Sequence, residues 1–115
     1  MTRLGKTIAL IGAALPALGA MSSAQAFPGK CRLTVDGKTY LNGICKIDMS
    51  SDGSFSIAGL DRRYFAYVSV NKADGRAIGY WNGVDAESHA HDNLGYLVRK
   101  GGCWSNDRAA ICAFR

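Results

Sequence analysis

The chain has 115 residues, of which 48% are hydrophobic and 20% are charged, and its formal net charge is +5. This composition is typical of globular proteins and excludes an intrinsically disordered chain. The length leaves room for one small domain, which excludes a multi-domain enzyme. A domain of this size buries little surface on folding, so we expect cross-links to support it.

The N-terminal residues 1–26 have the pattern of an export signal. Two basic residues precede an apolar stretch over residues 7–20, and Ala24-Gln25-Ala26 is a small-x-small cleavage pattern. The apolar stretch is shorter than the roughly 20 residues that a membrane-spanning helix needs. We therefore predict cleavage before Phe27 and no membrane insertion of the mature chain. The predicted location is the bacterial periplasm, with secretion as the alternative.

Removal of 26 of the 115 residues leaves one predicted domain, residues 27–115. The signal contains two of the 14 basic residues and none of the nine acidic ones, so 12 basic and nine acidic residues give the mature chain a net charge of +3. The basic residues are scattered among acidic ones, which does not fit a nucleic-acid-binding surface. This mildly positive charge is compatible with a partner that presents acidic groups.

All four cysteines follow the predicted signal, and an even number in an oxidising compartment indicates two disulfides. Four cysteines allow three pairings. We favour Cys31 with Cys45 and Cys103 with Cys112, because each pair flanks a short segment that contains turn-forming residues. No Cys-x-x-Cys pair is present, which argues against structural zinc and against redox activity.

Turn-forming dipeptides recur roughly every eight to twelve residues, a spacing typical of an all-β sandwich or barrel. They are Asp36-Gly37, Asn42-Gly43, Asp52-Gly53, Asp74-Gly75, Asn82-Gly83 and Gly101-Gly102. The runs between them predict about seven short strands, at residues 31–36, 44–49, 55–57, 64–70, 77–81, 94–98 and 109–114. We therefore predict a small antiparallel barrel or sandwich stapled by two disulfides.

The most apolar of these runs, residues 64–70, predicts a strand in the middle of a sheet. No long segment has the apolar period of a helix. Any helix is therefore expected to be short, near residues 84–90 or 106–110.

Residues 50–54 form a small polar loop with Ser50, Ser51, Asp52 and Ser54. A loop rich in hydroxyl groups is small enough to enter a narrow catalytic cleft. Arg62 and Arg63 lie in a charged turn, and a guanidinium can pair with carboxylates in such a cleft. The alternative is an ordinary hairpin loop and a solvated charged corner.

Three aromatic residues, Tyr80, Trp81 and Trp104, stand beside turn-forming Gly and Asn residues. Aromatic rings at the ends of strands can anchor a protein interface or stack on a sugar. The alternative is that they pack in the core and cover the disulfides.

Both histidines, His89 and His91, lie in one polar segment next to Asp92. Two imidazoles and a carboxylate could bind zinc or copper. The alternatives are a polar loop whose side chains bond to the backbone, a contact with a partner, or pH sensing by the histidines. We expect no cofactor.

No pattern in the chain favours catalysis. Ser88 lies beside the histidines but has no nucleophile-elbow motif. A pair of catalytic carboxylates needs a saccharide-sized groove, for which a domain of this size has little room. We therefore expect the protein not to be an enzyme.

A cleaved signal, a β domain of about 90 residues, two disulfides and scattered Gly, Tyr and Trp resemble small exported proteins of Gram-negative bacteria. Among these are periplasmic inhibitors of lysozyme and related peptidoglycan hydrolases. The eight-stranded members carry a Ser-Gly-rich loop that plugs the catalytic cleft, and residues 50–54 are similar in kind.

The resemblance implies an inhibitor whose partner is a peptidoglycan-cleaving enzyme. One alternative is a noncatalytic module that binds envelope glycan or another envelope protein, with Trp81 and Trp104 as anchors. The other is a metal-binding protein.

Overall fold

The computed structural model describes residues 25–114, which form one closed antiparallel β-barrel of eight strands. The strands are β1 Gln25–Val35, β2 Lys38–Met49, β3 Phe55–Gly59, β4 Phe65–Asn71, β5 Arg76–Trp81, β6 Asp92–Lys100, β7 Cys103–Ser105 and β8 Ala109–Phe114. The all-β prediction is confirmed, and the barrel form of it is the correct one. No helix in this part of the chain is long and apolar enough to cross a membrane.

The predicted seven strands are one too few, because β7 spans only Cys103–Ser105. Three residues are too short to show the alternation that identifies a strand. The missing strand matters, since in an up-and-down meander with seven strands the last strand would run parallel to the first. With eight, β8 pairs antiparallel with β1, from Lys30 opposite Phe114 to Val35 opposite Ala109, and the sheet closes without an edge.

Most of the predicted export signal, residues 1–24, lies outside the described residues. Its last two residues belong to β1, where Gln25 pairs with Met49 and Ala26 pairs with Asp48. Cleavage before Phe27 would therefore shorten β1 by two residues and leave the rest of its pairing with β2 in place.

The barrel interior is filled by alternate residues of the strands, as period-two side-chain geometry requires. The fully buried side chains include Leu33, Ile47, Ile57, Val68, Leu97 and Ile111. Gly79 also faces inward, and a Cβ there would lie 2.7 Å from Leu97 Cδ1 and 3.1 Å from Ile111 Cδ1. A glycine at this position therefore makes room for two larger side chains.

The run predicted as a mid-sheet strand forms β4, between β3 and β5. Its two faces differ, because Ala66 and Val68 are buried whereas Tyr67 is exposed. In strand β6 the buried residues Leu94 and Leu97 are three positions apart instead of an even number. A register shift between β5 and β6 explains this spacing, since Gly79 pairs with Gly95 but Tyr80 pairs with Asn93.

Most of the predicted turns connect strands, but the turn predicted at Asn42-Gly43 is wrong. Asn42-Gly43 lies inside β2, where Asn42 pairs with Arg32 and Gly43 with Cys31. The flanking strand residues continue the ladder through this dipeptide, so its turn tendency is overridden. Neither residues 84–90 nor residues 106–110 form a helix. Both segments connect strands at one end of the barrel, and hydrogen-bonded turns such as Ala86 N–H to Gly83 O (3.0 Å) suffice there.

The favoured disulfide pairing is confirmed, with Cys31 bonded to Cys45 and Cys103 bonded to Cys112. The first disulfide links β1 to β2, and both of its cysteines are almost fully buried. The second joins directly opposed residues of β7 and β8, and the Arg32 guanidinium lies 3.7 Å from Cys112 Sγ. Two disulfides fit an exported protein in an oxidising compartment.

Successive hairpins lie at alternate ends of the barrel. We name these two ends the open end and the closed end. The open end carries the connections at residues 50–54, 72–75 and 101–102. The closed end carries those at residues 36–37, 60–64, 82–91 and 106–108.

Candidate functional site

A cavity of about 740 Å³ occupies the open end of the barrel. Its wall is mainly apolar, from Met49, Phe55, Val70, Trp104 and Ala113. Phe55 and Trp104 are 4% and 9% exposed, so these two lining residues also belong to the packed core. The size lies within the range of natural small-ligand sites, about 300–1,000 Å³.

Three charged residues also line this cavity: Asp52, Lys72 and Arg99. Lys72 and Arg99 are exposed, with Lys72 on the β4–β5 connection and Arg99 near the end of β6, so positive charge lies on two sides of the mouth. Arg99 Nε donates to the carbonyl oxygen of Gly101 (3.2 Å), which holds the guanidinium close to the β6–β7 turn. The rim therefore carries two cations and one carboxylate.

The loop of residues 50–54, the Ser50 loop, is a hydrogen-bonded turn between β2 and β3. Ser50 N–H donates to Ser54 O (2.8 Å), and Gly53 N–H donates to Ser50 O (3.1 Å). Gly53 has φ +93°, a left-handed conformation that favours glycine. Ser50, Ser51 and Asp52 have accessible surface in this preformed turn.

Ser54 is 3% exposed and has a structural role instead of a surface one. Its Oγ accepts a hydrogen bond from Val70 N–H (2.9 Å), which ties the Ser50 loop to β4. Its own N–H donates to Asp52 Oδ1 (2.8 Å) and holds the pKa of Asp52 below the ordinary value of 3.8. Asp52 is therefore ionised at neutral pH, and the loop is ordered from within.

The structure places Arg62 and Arg63 at the closed end, across the barrel from the Ser50 loop. Both are exposed, and Arg62 has φ +62°. The Arg63 guanidinium lies 5.3 Å from the ring centre of Tyr64, a cation–π arrangement. These arginines and the Ser50 loop therefore cannot enter one narrow cleft together.

The three predicted aromatic residues occupy three different environments. Trp81 is 1% exposed and packs at the closed end against Tyr40, with ring centres 4.6 Å apart. Trp104 borders the cavity at the open end. Tyr80 lies on the outer wall beside Tyr67, with ring centres 6.5 Å apart. Of the two tryptophans, only Trp104 is placed where a bound molecule could touch it.

Asp92 belongs to a hydrogen-bonded network that crosses the closed end. Its Oδ2 accepts from Trp81 Nε1 (2.9 Å) and from the Arg108 guanidinium (3.0 Å), which also pairs with Asp36 (3.1 Å). Burial raises the pKa of Asp92, but the bonds from Trp81 and Arg108 outweigh it, so the pKa lies below 3.8. The bonds to Asp36 and Asp92 raise the pKa of Arg108 above its usual value.

Asn82, fully buried beside this network, completes the closed end. Its Oδ1 accepts from Phe65 N–H (3.0 Å), and its Nδ2 donates to Arg63 O (2.8 Å) and Glu87 O (3.0 Å). One amide thus joins three segments, which is how a long connection over residues 82–91 is held without helix or strand. The sequence interpretation of Asn82 as a turn residue missed this role.

His89 and His91 are exposed in the same connection, with ring centres 5.7 Å apart. Within residues 25–114, no group of three His, Cys, Asp or Glu side chains could hold a metal ion. The carboxylate of Asp92 already accepts from Trp81 and Arg108. His89, His91 and Asp92 are therefore not brought together as a metal-binding group in the described part of the chain.

Two residues of the open rim, Lys72 and Arg99, were missed by sequence reasoning. Each is a single basic residue beside a turn, which is common on any surface. A count of the strands would have placed both residues at this end, because the second, fourth and sixth connections of an up-and-down meander lie at the same end of the barrel. Of the residues predicted for binding, only the Ser50 loop and Trp104 share that end.

Comparison with known proteins gives no match to a family model, to a curated protein or to a solved structure.

Proposed function

We propose that this protein is a periplasmic inhibitor of a lysozyme-type peptidoglycan hydrolase and that it acts through the open end of its barrel. The single observation that supports the proposal is the juxtaposition of the Ser50 loop with Lys72 and Arg99 around one mouth. A small preformed loop between two cations is complementary in shape and charge to a cleft that contains catalytic carboxylates.

The hydrogen bonds within the Ser50 loop also favour this function. Because Ser54 and Gly53 hold the turn before any partner arrives, binding orders few additional groups and loses little conformational entropy. The barrel below is cross-linked by two disulfides, so the rim is presented on a rigid support. Proteins that inhibit enzymes by insertion into a cleft benefit from this preorganisation.

The net charge of the mature chain favours one kind of target enzyme over another. With a net charge of +3 after signal removal, derived from 12 basic and nine acidic residues, the protein gains no long-range attraction to a strongly basic lysozyme. A less basic hydrolase of the cell envelope is the better electrostatic partner. Association with such an enzyme should slow as salt is added, since screening weakens attraction between unlike charges.

The cavity at the open end favours a second candidate, a noncatalytic binding module. An envelope glycan fragment or an envelope protein could contact Trp104 and the apolar wall. Trp81, the other proposed anchor, is 1% exposed and cannot stack on a sugar without unfolding the closed end.

A cell-wall clearing assay tests the inhibitor proposal. Oxidised protein of residues 27–115 is added to lysozyme or to a bacterial peptidoglycan hydrolase, and turbidity is followed. We expect dose-dependent slowing that disappears on disulfide reduction. The double variant Lys72→Ala/Arg99→Ala should inhibit at least about tenfold more weakly, because each lost charge-assisted bond contributes about 1.5 kcal/mol or more.

The matched control is Arg62→Ala/Arg63→Ala, which removes two exposed cations from the closed end. This variant should inhibit as strongly as the wild-type protein. Equal losses for both double variants would show that only net charge matters, and no slowing of either enzyme by the unchanged protein would contradict the proposal. A shift in tryptophan emission on addition of peptidoglycan fragments, without inhibition, would support the binding module.

A further inference from the structure

The cavity at the open end differs from the packed core below it in one respect. The core is closed by side chains such as Leu97 and Ile111, both fully buried. The cavity is instead lined by Phe55, Trp104 and Val70 around a space that no side chain of the described residues fills. Apolar surface around such a space is stabilised when an apolar group of a ligand enters it.

The charged side chains at the cavity mouth indicate the charge of the ligand's headgroup. Lys72 and Arg99 are exposed there and outnumber the one acidic lining side chain, Asp52, whose ionised carboxylate interacts electrostatically with Lys72, so the mouth keeps a net positive charge. A guanidinium and an ammonium at one mouth favour a carboxylate or phosphate. They disfavour a cationic headgroup, which would meet two like charges.

We propose that this cavity binds a small anionic amphiphile, with its single alkyl chain against Phe55 and Trp104 and its anionic headgroup at Lys72 and Arg99. A medium-chain fatty acid has this chemistry, and so does an alkyl phosphate. The cavity lies only at the mouth, since the barrel centre is filled by the core and by the buried Cys31–Cys45 disulfide. A short chain therefore fits better than a long one.

This binding is independent of the proposed inhibition, because it is measured on the protein alone. If both occur, the two functions compete, since the same two cations would face either the ligand or the carboxylates of an enzyme.

Calorimetric titration of the oxidised protein of residues 27–115 tests the proposal with three probes of equal chain length: decanoate, decyl phosphate and decyltrimethylammonium. We expect saturable binding of one or both anions, at least about tenfold tighter than binding of the cation. Preference between decanoate and decyl phosphate identifies the headgroup. No saturable binding of either anion, or equal binding of the cation, would overturn the proposal.

Variants then locate the ligand. Lys72→Gln/Arg99→Gln should weaken anion binding by at least about tenfold while leaving binding of neutral decanol unchanged, and Arg62→Gln/Arg63→Gln at the closed end should leave both unchanged. Ala113→Phe, which fills the cavity, should remove binding of all probes. Because this variant could fail to fold, the exposed double variant at the rim decides the outcome by itself.

Trp104 supplies a spectroscopic check. Decanoate should shift tryptophan emission in the unchanged protein, and Trp104→Phe should abolish the shift although heat of binding is still measured. A shift that persists in Trp104→Phe would place the ligand near Trp81 at the closed end and would contradict the proposed position.

Discussion

The two ends of the barrel use similar residue types in different ways. At the closed end, polar groups are bonded to one another, as in the Trp81–Asp92–Arg108–Asp36 network. At the open end, cations and an aromatic ring surround a cavity instead of filling it. Polar groups at the closed end therefore contribute to the stability of the barrel, whereas Lys72 and Arg99 at the open end remain accessible to solvent.

The largest expected contrast is between the two tryptophans. Trp81→Ala should lower the free energy of unfolding by about 3–5 kcal/mol, because it leaves a cavity in packed surroundings and removes the partner of Asp92. Trp104→Ala should lower it by about 2 kcal/mol, since one side of this ring already borders a cavity. Urea unfolding of the oxidised variants measures both values. Equal losses would show that the open end is packed as tightly as the closed end.

A smaller difference in stability loss is expected between variants of two carboxylates that pair with arginine, Asp92 at the closed end and Asp74 at the open end. At pH 7, Asp92→Asn should lower stability by about 1 kcal/mol, because a charge-assisted pair becomes a neutral one. Asp74→Asn at the open end should leave stability unchanged within the error of urea unfolding, since its pair with Arg76 is solvent-exposed.

The ionised carboxylate of Asp92 also predicts that the stability of the fold depends on pH. The pKa of Asp92 lies below 3.8 in the folded protein, so its charge stabilises the fold at pH values above about 4. This stability is lost as the pH falls through the folded pKa. Melting temperatures of the unchanged protein and Asp92→Asn should therefore converge in acid. A constant difference between pH 7 and pH 2 would contradict the assigned network.

The smallest effect is expected for the cations of the open rim. Lys72→Gln and Arg99→Gln should each change the free energy of unfolding by less than about 0.5 kcal/mol, because both side chains are exposed. Thermal unfolding measures this directly. A loss above about 1 kcal/mol would show that the rim supports the fold, and any loss of binding by these variants would then have a structural cause.

Local patterns in the sequence predicted most of the fold. Strand alternation depends on side chains only two residues apart, and a hairpin such as Asp36-Gly37 depends on adjacent residues. Asp36 and Gly37 have φ values of +53° and +81°, as expected for a tight turn between antiparallel strands. The two short-range disulfides were predictable for the same reason, because each joins cysteines across a short segment.

Less of the candidate site was predictable. The Ser50 loop was identified from its composition, but its partners Lys72 and Arg99 are distant in sequence and meet it only because three hairpins share one end. Arg62 and Arg63 looked equally suitable, yet an additional hairpin connection places them at the opposite end. Asn42-Gly43 shows the same limit, since its pairing with β1 overrides its local preference.

The alternating strands, most turns at glycine and the pairing of nearby cysteines depend on neighbouring residues and therefore follow from the sequence. Closure of β8 onto β1, burial of Trp81 beside Asp92 and the meeting of Lys72 with Arg99 at one mouth are set by tertiary structure. These features depend on the number of strands and on their register around the whole barrel. One three-residue strand, β7, sets that number.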